Sequence, residues 1–274
     1  MGDLSITALY TSQVWAWAKL PCAELFATRD GKRVFDATNA VLAVMRRGTP
    51  LRYALVHRHA MIDELVRRWQ PRRVVELAAG LSRRGAAVSA DPDVPYIEVD
   101  LPAVIAHKRQ LLERTAAGRE VLGRAGFALV AGDIETIELS LLAAGEPVVV
   151  IAEGLAMYLD AGARRRLFAK VARLAEHAGE VRFAFDLVPT DEEPPPGISG
   201  RVLEAVMKRF TGGRTFERDA KTRGGVIAEL RDAGFSEVEA IAATEVAAAW
   251  GLPHADRVTP TVVFTARVAR ATRS

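Results

Sequence analysis

The stretch Arg73-Val74-Val75-Glu76-Leu77-Ala78-Ala79-Gly80-Leu81-Ser82-Arg83-Arg84-Gly85 limits what this chain can fold into more than any other. A short apolar strand ends in an acid, passes through a turn of small residues and runs into a helix. An open α/β sheet presents a nucleoside-type ligand in this way, at the carboxyl end of its first strand. The turn needs small side chains because its backbone must come close to the ligand. Tyr96-Ile97-Glu98-Val99-Asp100 then predicts a second strand ending in an acid. That acid lies about 20 residues beyond Gly80, where a carboxylate can accept from both ribose hydroxyls.

Two cofactor classes use such an acid: nicotinamide dinucleotides and S-adenosyl-L-methionine. The dinucleotide fingerprint Gly-x-Gly-x-x-Gly cradles a pyrophosphate on a helix N-terminus. Here Ala78 stands at the first glycine, and the spacing from Gly80 to Gly85 does not fit. S-adenosyl-L-methionine has no phosphate and does not need the cradle. Glu76 would repel a pyrophosphate and suits a ligand carrying an ammonium group, through a water or a backbone neighbour. The methyl donor is the favoured reading, and the nicotinamide cofactor is the alternative.

Half of the 274 residues are hydrophobic, enough for a packed core in one large domain or a domain with a cap. The net charge of +3 and the scattered arginine pairs read as solvated helix faces rather than a nucleic-acid surface. One cysteine, Cys22, allows neither an intrachain disulfide nor a thiolate metal cage. No metal site is expected. No secretory leader and no apolar run of membrane-spanning length are evident, so a soluble cytoplasmic protein with no membrane partner is expected.

Residues 4–69 are predicted to be helical throughout, with Val41, Leu42, Val44 and Met45, and then Ile62, Leu65, Val66 and Trp69, at helical spacing. Gly48-Thr49-Pro50 would break the helices. Residues 1–70 are expected to form an N-terminal helical cap on a domain spanning 71–274. From residue 73 strands and helices alternate. Strands are expected at 73–77, 95–99, 127–130, 147–152 and 181–186, with helices at 101–117 and 160–178, the latter capped by Asp160. Asp191 to Gly197 reads as a loop or lid hinge, followed by helices at 198–210 and 218–233. Two alternating strands, 235–241 and 261–268, close the chain. The expected fold is a doubly wound, Rossmann-like, seven-stranded and mostly parallel sheet.

Glu76, Asp100, Asp133 and Glu153 all fall at predicted strand ends, which line one edge of a parallel sheet. In this fold, Asp133 and Ile134 follow the strand nearest the adenine. Four segments together, 74–82, 96–102, Gly132-Asp133-Ile134 and Glu153-Gly154-Leu155-Ala156-Met157-Tyr158-Leu159, resemble the leucine carboxyl methyltransferase family. That family includes tetracenomycin-type polyketide O-methyltransferases. The likeness runs from about residue 5 to about residue 268 and is most specific in 96–102 and 153–159.

The resemblance implies a class I methyltransferase whose cofactor is S-adenosyl-L-methionine. Gly80 would lie against the cofactor, with Glu76 and Ala78 shaping the turn. Asp100, with Leu101 beside it, would hold the ribose. Asp133 and Ile134 would frame the adenine. Glu153 would face the methionine ammonium, and Arg58 from the cap would pair with the carboxylate, which its planar fork can bind bidentately. Two departures stand out: Ala78 replaces the usual turn glycine, and Ser82 stands where many relatives have aspartate.

Methyl transfer depends mainly on aligning the acceptor oxygen with the methyl carbon. A carboxylate acceptor needs no base, whereas a phenol needs a proton acceptor. His57, His59 and Tyr158 are the candidates for contact with the acceptor, and Tyr10, Trp15 and Trp17 are candidate pocket walls. His57 and His59 are two residues apart, so they point to different helix faces. The expected activity is O-methyl transfer to a carboxylate or hydroxyl of a small molecule, which the family resemblance implies to be of polyketide type. A protein C-terminal carboxylate is the alternative acceptor. A reductase would show the full glycine fingerprint and a Tyr-x-x-x-Lys donor, and a nucleic-acid methyltransferase an Asn-Pro-Pro-Tyr motif; neither is present.

Overall fold

The computed structural model describes residues 6–44, 51–189 and 222–270. Seven strands form one sheet: β1 (Val74–Leu77), β2 (Tyr96–Asp100), β3 (Phe127–Ala131), β4 (Val148–Ala152), β5 (Glu180–Asp186), β6 (Glu237–Ala242) and β7 (Val262–Ala269). Their order is β3-β2-β1-β4-β5-β7-β6. The first five pair in parallel, and β7 inserts antiparallel between β5 and β6. The order reverses between β1 and β4, so the strand ends carrying Glu76 and Glu153 flank the switch point where such sheets hold ligands. β1 and β4 are buried along their whole length, as strands covered on both faces must be.

Helices cover the sheet: α1 (Ile6–Trp17), α2 (Arg29–Val44), α3 (Leu51–Trp69), α4 (Arg84–Val88), α5 (Pro102–Glu113), α6 (Ala116–Gly123), α7 (Ser140–Ala143), α8 (Ala161–Arg173), α9 (Ala175–Ala178), α10 (Arg223–Asp232) and α11 (Ala243–Val246). One core lies under α8 and α9, where Phe168, Phe183, Phe185, Phe235 and Phe264 stack. A second core lies on the other face, where Met61, Ile62, Leu65 and Val66 of α3 pack with Val74, Val149 and Val263 of the sheet. α3 is therefore part of the sheet's own core. α1 and the start of α2 make a smaller cluster with Tyr10, Val14, Trp15, Phe35 and Val56.

Several boundaries differ from the sequence expectation. The helical run ends at Trp17, because Lys19 and Cys22 adopt left-handed backbone (φ 55° and 63°) and turn the chain through a short 3-10 segment, Ala23–Leu25. Val41, expected on a core face, is 52% exposed. The helix expected to run to residue 117 stops at Glu113, and Thr115 caps a separate α6 by accepting from the Gly118 N–H. Asp160 caps α8 by accepting from the Ala163 N–H, and the helix gives way at Leu174 to the short α9. Gly48-Thr49-Pro50, the loop expected at 191–197 and the helix expected at 198–210 lie outside the described residues. Among the described residues, no helix is long and apolar enough to cross a membrane.

Candidate active site

The turn after β1 and the end of β2 are joined directly. Asp100 accepts from the Gly80 N–H at 2.7 Å and, through its other oxygen, from the Leu101 N–H at 2.7 Å. Each oxygen keeps a lone pair for a further donor. Burial raises the Asp100 carboxyl, while the two N–H groups pull it back. Gly80 has φ +52°, and the space its missing Cβ would occupy is open to at least 4 Å. Ala78 shares the left-handed conformation at φ +51°, which an L side chain adopts at a cost of about 1–2 kcal/mol. Leu101 is 46% exposed at the same edge.

Beneath this turn lies a buried ionic cluster centred on Arg84. Its guanidinium donates to Asp63 (2.6 Å), Glu76 (2.5 Å), Glu153 (2.6 Å) and the His59 carbonyl (3.3 Å). Burial alone would make Arg84 easier to deprotonate, but Glu76 and Glu153 hold its proton more firmly than in water. Arg83 also pairs with Asp63, and burial together with Arg84 lowers it to about 10. Glu76 accepts from the Tyr96 hydroxyl at 2.7 Å as well as from Arg84. It is 1% exposed, with both oxygens engaged inside the protein beneath the turn it was expected to shape.

Arg58, from α3, ties the ends of β4 and β5 together. Its Nε donates to Glu153 at 3.1 Å and its Nη1 to Asp186 at 3.0 Å. Asp186, the last residue of β5, also accepts from the Gly154 N–H at 2.5 Å. Gly154 has φ +69°, and a Cβ there would sit 3.0 Å from Arg58 Nη2. Glycine is thus required twice, for conformation and for room. Burial would raise Glu153, yet His59, Arg84 and Arg58 hold it well below the usual carboxylate range. Glu153 Oε1 accepts from Arg58 alone and keeps a lone pair, whereas Oε2 accepts from both His59 and Arg84.

The two histidines occupy different sites. The His59 ring stacks on Trp15 at 4.1 Å, donates from Nδ1 to Glu153 at 2.8 Å and accepts at Nε2 from Arg83 at 3.2 Å. Burial lowers it to about 3, so it is neutral at pH 7. His57 bonds Thr259 (2.9 Å) and the Pro253 carbonyl (3.1 Å). Both ring nitrogens of each histidine are engaged and both residues are 0% exposed, so neither offers a proton acceptor to a substrate as expected. Tyr10 is packed too: it stacks on Phe35, its hydroxyl reaches Asn39 at 3.4 Å, and burial pushes it up to about 12. It is core rather than a pocket wall. Tyr158 follows β4 beside Arg58, Asp186 and Thr7, and burial raises its hydroxyl above the ordinary value. Asp133 is exposed; its side chain accepts from the Glu135 N–H at 2.8 Å, and Ile134 is half-buried behind it.

Asp63, Arg83, Arg84 and Asp186 were not singled out by sequence reasoning. Asp186 carried the same signal as the four acids that were: it ends a strand. Asp63 sits inside α3, and Arg83 and Arg84 stand at the start of α4, where nothing in the spacing marks them. Among the described residues, no group of three or more His, Cys, Asp or Glu side chains could hold a metal.

Residues 16–172 match the family model described as leucine carboxyl methyltransferase. A relative from Mycolicibacterium paratuberculosis, provisionally named an S-adenosyl-L-methionine-dependent methyltransferase, is 34% identical over 115 residues, 40% of this chain and 37% of its own length. One from Mycobacterium bovis with the same provisional name is 30% identical over 148 residues, 52% of this chain and 45% of the relative. The match thus spans less than half the length of these curated relatives. Among solved structures, a provisionally named methyltransferase from Thermobifida fusca superposes with TM-score 0.60 at 14% identity over 94% of both chains. An O-methyltransferase family protein from Burkholderia thailandensis gives 0.53 at 14% identity, over 97% of this chain and 73% of the other. These two likenesses concern the fold. With the family model matching over half of the chain and the same sheet in place, the chain belongs to the leucine carboxyl methyltransferase family.

Proposed function

We propose that this protein transfers the methyl group of S-adenosyl-L-methionine to a carboxylate oxygen of a small apolar molecule, of the polyketide type that the family resemblance brings to mind. The observation that carries this reading is the joined Gly80–Asp100 turn, with open space beside Gly80. Free lone pairs on Asp100 fit two ribose hydroxyls. Arg58 Nη2, which donates to no described group, fits the methionine carboxylate. Leu101 and Ile134 fit the two sides of an adenine ring.

The charge balance points the same way. Four carboxylates (Asp63, Glu76, Glu153, Asp186) are interlinked with three guanidinium groups (Arg58, Arg83, Arg84), leaving one negative charge uncompensated while His59 is neutral. A ligand with net charge +1 suits such a site, and S-adenosyl-L-methionine carries that charge. When bound, it supplies a methyl carbon already activated by the sulfonium.

The chain's own residues orient the acceptor rather than deprotonate it. With His57 and His59 engaged elsewhere, an acceptor that is already ionised at pH 7 is favoured over a phenol. Tyr158 keeps its proton at pH 7 and can donate it in a hydrogen bond to the acceptor carboxylate. Val188, 50% exposed just beyond β5, gives the cleft an apolar rim.

The test is transfer from methyl-labelled S-adenosyl-L-methionine to a panel of apolar acids and phenols. Label released as methanol by mild base marks an ester and is the expected outcome. Base-stable label on phenols would replace the carboxylate with a hydroxyl acceptor. Transfer confined to peptides through their C-terminal carboxylate would replace the small molecule with a protein.

A further inference from the structure

The turn that follows β3 sets Ile134 and Ile137 against the edge of the core under α8, while its polar face is turned to solvent. Asp133, Glu135 and Thr136 are exposed, and the turn's internal bonds run from the Glu135 N–H to the Asp133 side chain and from the Thr136 and Ile137 N–H groups to the Asp133 carbonyl. Below it lies an open groove of about 550 Å³ lined by Ile134, Ile137, Leu139, Leu159, Leu167 and Leu174. The core holds the two isoleucine side chains, and the backbone between them is left to hydrogen bonds. Two ties cross from α8. Arg166 reaches Glu135 at 3.5 Å, with both side chains more than half exposed, and such a pair contributes little. Lys170, half-buried, donates from Nζ to the Ile134 carbonyl at 3.0 Å and to the Glu135 carbonyl at 3.2 Å. Hydrogen bonds from an ionised donor are the stronger kind.

We propose that Lys170 is a positioning residue for the adenosine end of the cofactor. It never touches the ligand; it holds the consecutive Ile134 and Glu135 carbonyls and so sets where Asp133 and Ile134 stand. This rests on the reading that Asp133 and Ile134 frame the adenine. Because the tie lies far along the cofactor from the methyl group, its loss weakens cofactor binding and leaves the transfer step itself unchanged.

The experiment is calorimetric titration of wild type, Lys170→Met, Lys170→Gln and Lys170→Arg with S-adenosylhomocysteine and with 5′-methylthioadenosine, which keeps the adenosine half alone. Thermal unfolding of each variant is followed alongside. Both neutral variants are expected to bind both ligands about tenfold more weakly, while Lys170→Arg stays near wild type. KM for the methyl donor rises in the neutral variants and kcat does not fall. Unchanged affinity in both neutral variants, or weakened binding of S-adenosylhomocysteine alone, would overturn the role of Lys170 while leaving the cofactor reading intact. Failure of wild type to bind S-adenosylhomocysteine would overturn that reading and the role of Lys170 with it.

Discussion

The two halves of this sheet are held by opposite physics. Around β5 and β7, five phenylalanines stack under α8, with Phe183 and Phe185 both 0% exposed. Around the ends of β1 and β4, the interior is ionic: Arg84 is equally buried and bonds three carboxylates. The aromatic half is stabilised by area removed from water, which any well-packed apolar set can supply. The ionic half incurs desolvation at every group and holds only while each charge keeps its partners. That region flanks the switch point between β1 and β4.

Changes in the two halves should therefore have different consequences. Arg84→Met leaves Asp63, Glu76 and Glu153 buried without their common partner, and should cost about 3–5 kcal/mol of stability in urea unfolding. It should also weaken S-adenosylhomocysteine binding, because Glu153 and the turn after β1 lose their anchor. Phe183→Ala should cost about 3 kcal/mol in the same unfolding experiment and leave ligand affinity within about twofold of wild type. If Arg84→Met were as stable as wild type, the ionic half would not be a partnered cluster at all.

Acid should distinguish the halves further. His59 has a folded pKa of about 3, below its unfolded value of 6.5, so the unfolded chain binds the extra proton between those limits. Stability should then fall as pH drops from 6.5 toward 3, and Glu153, also depressed, adds a loss below its ordinary 4.5. Glu98, raised to about 7 by burial despite the neighbouring Lys108, works in the opposite sense between 4.5 and 7. His59→Gln removes the first contribution and weakens that of Glu153, which acts only below 4.5, so its stability should decline less steeply than that of wild type over pH 6.5 to 5. Equal slopes would show that His59 is not held neutral. The smallest effect is expected at Ala78: replacing it with glycine relieves the left-handed strain and should stabilise the protein by about 1 kcal/mol at most, the gain being offset by the freer unfolded chain.

Much of this contrast was already written in the sequence, but unevenly. The apolar half follows from continuous hydrophobic runs such as Val148 to Ala152, and five parallel strands and a closing pair were legible to within one or two residues. Asp100 and Gly80 were legible because strand, turn and acid come at fixed spacing. The partners of Glu153 were not: His59 lies 94 residues from it and Arg84 69, so only the fold brings them together, and although Arg84 is just eight residues from Glu76, nothing in the turn says that its side chain folds back beneath β1. Burial also changed the role of residues correctly placed at the edge. Nothing in the local sequence says that Glu76 turns inward to Tyr96 or that both nitrogens of His57 and His59 are already taken. The break after Trp17 was missed because left-handed Lys19 and Cys22 are neither glycine nor asparagine.

The most direct measurement is calorimetric titration of wild type and Asp100→Ala with S-adenosylhomocysteine, with NADH and NADPH run beside it. Micromolar binding of S-adenosylhomocysteine by wild type, lost in Asp100→Ala and absent for both nicotinamides, is the predicted result. Binding of NADH or NADPH with no response to S-adenosylhomocysteine would contradict the account and assign Asp100 to a dinucleotide ribose.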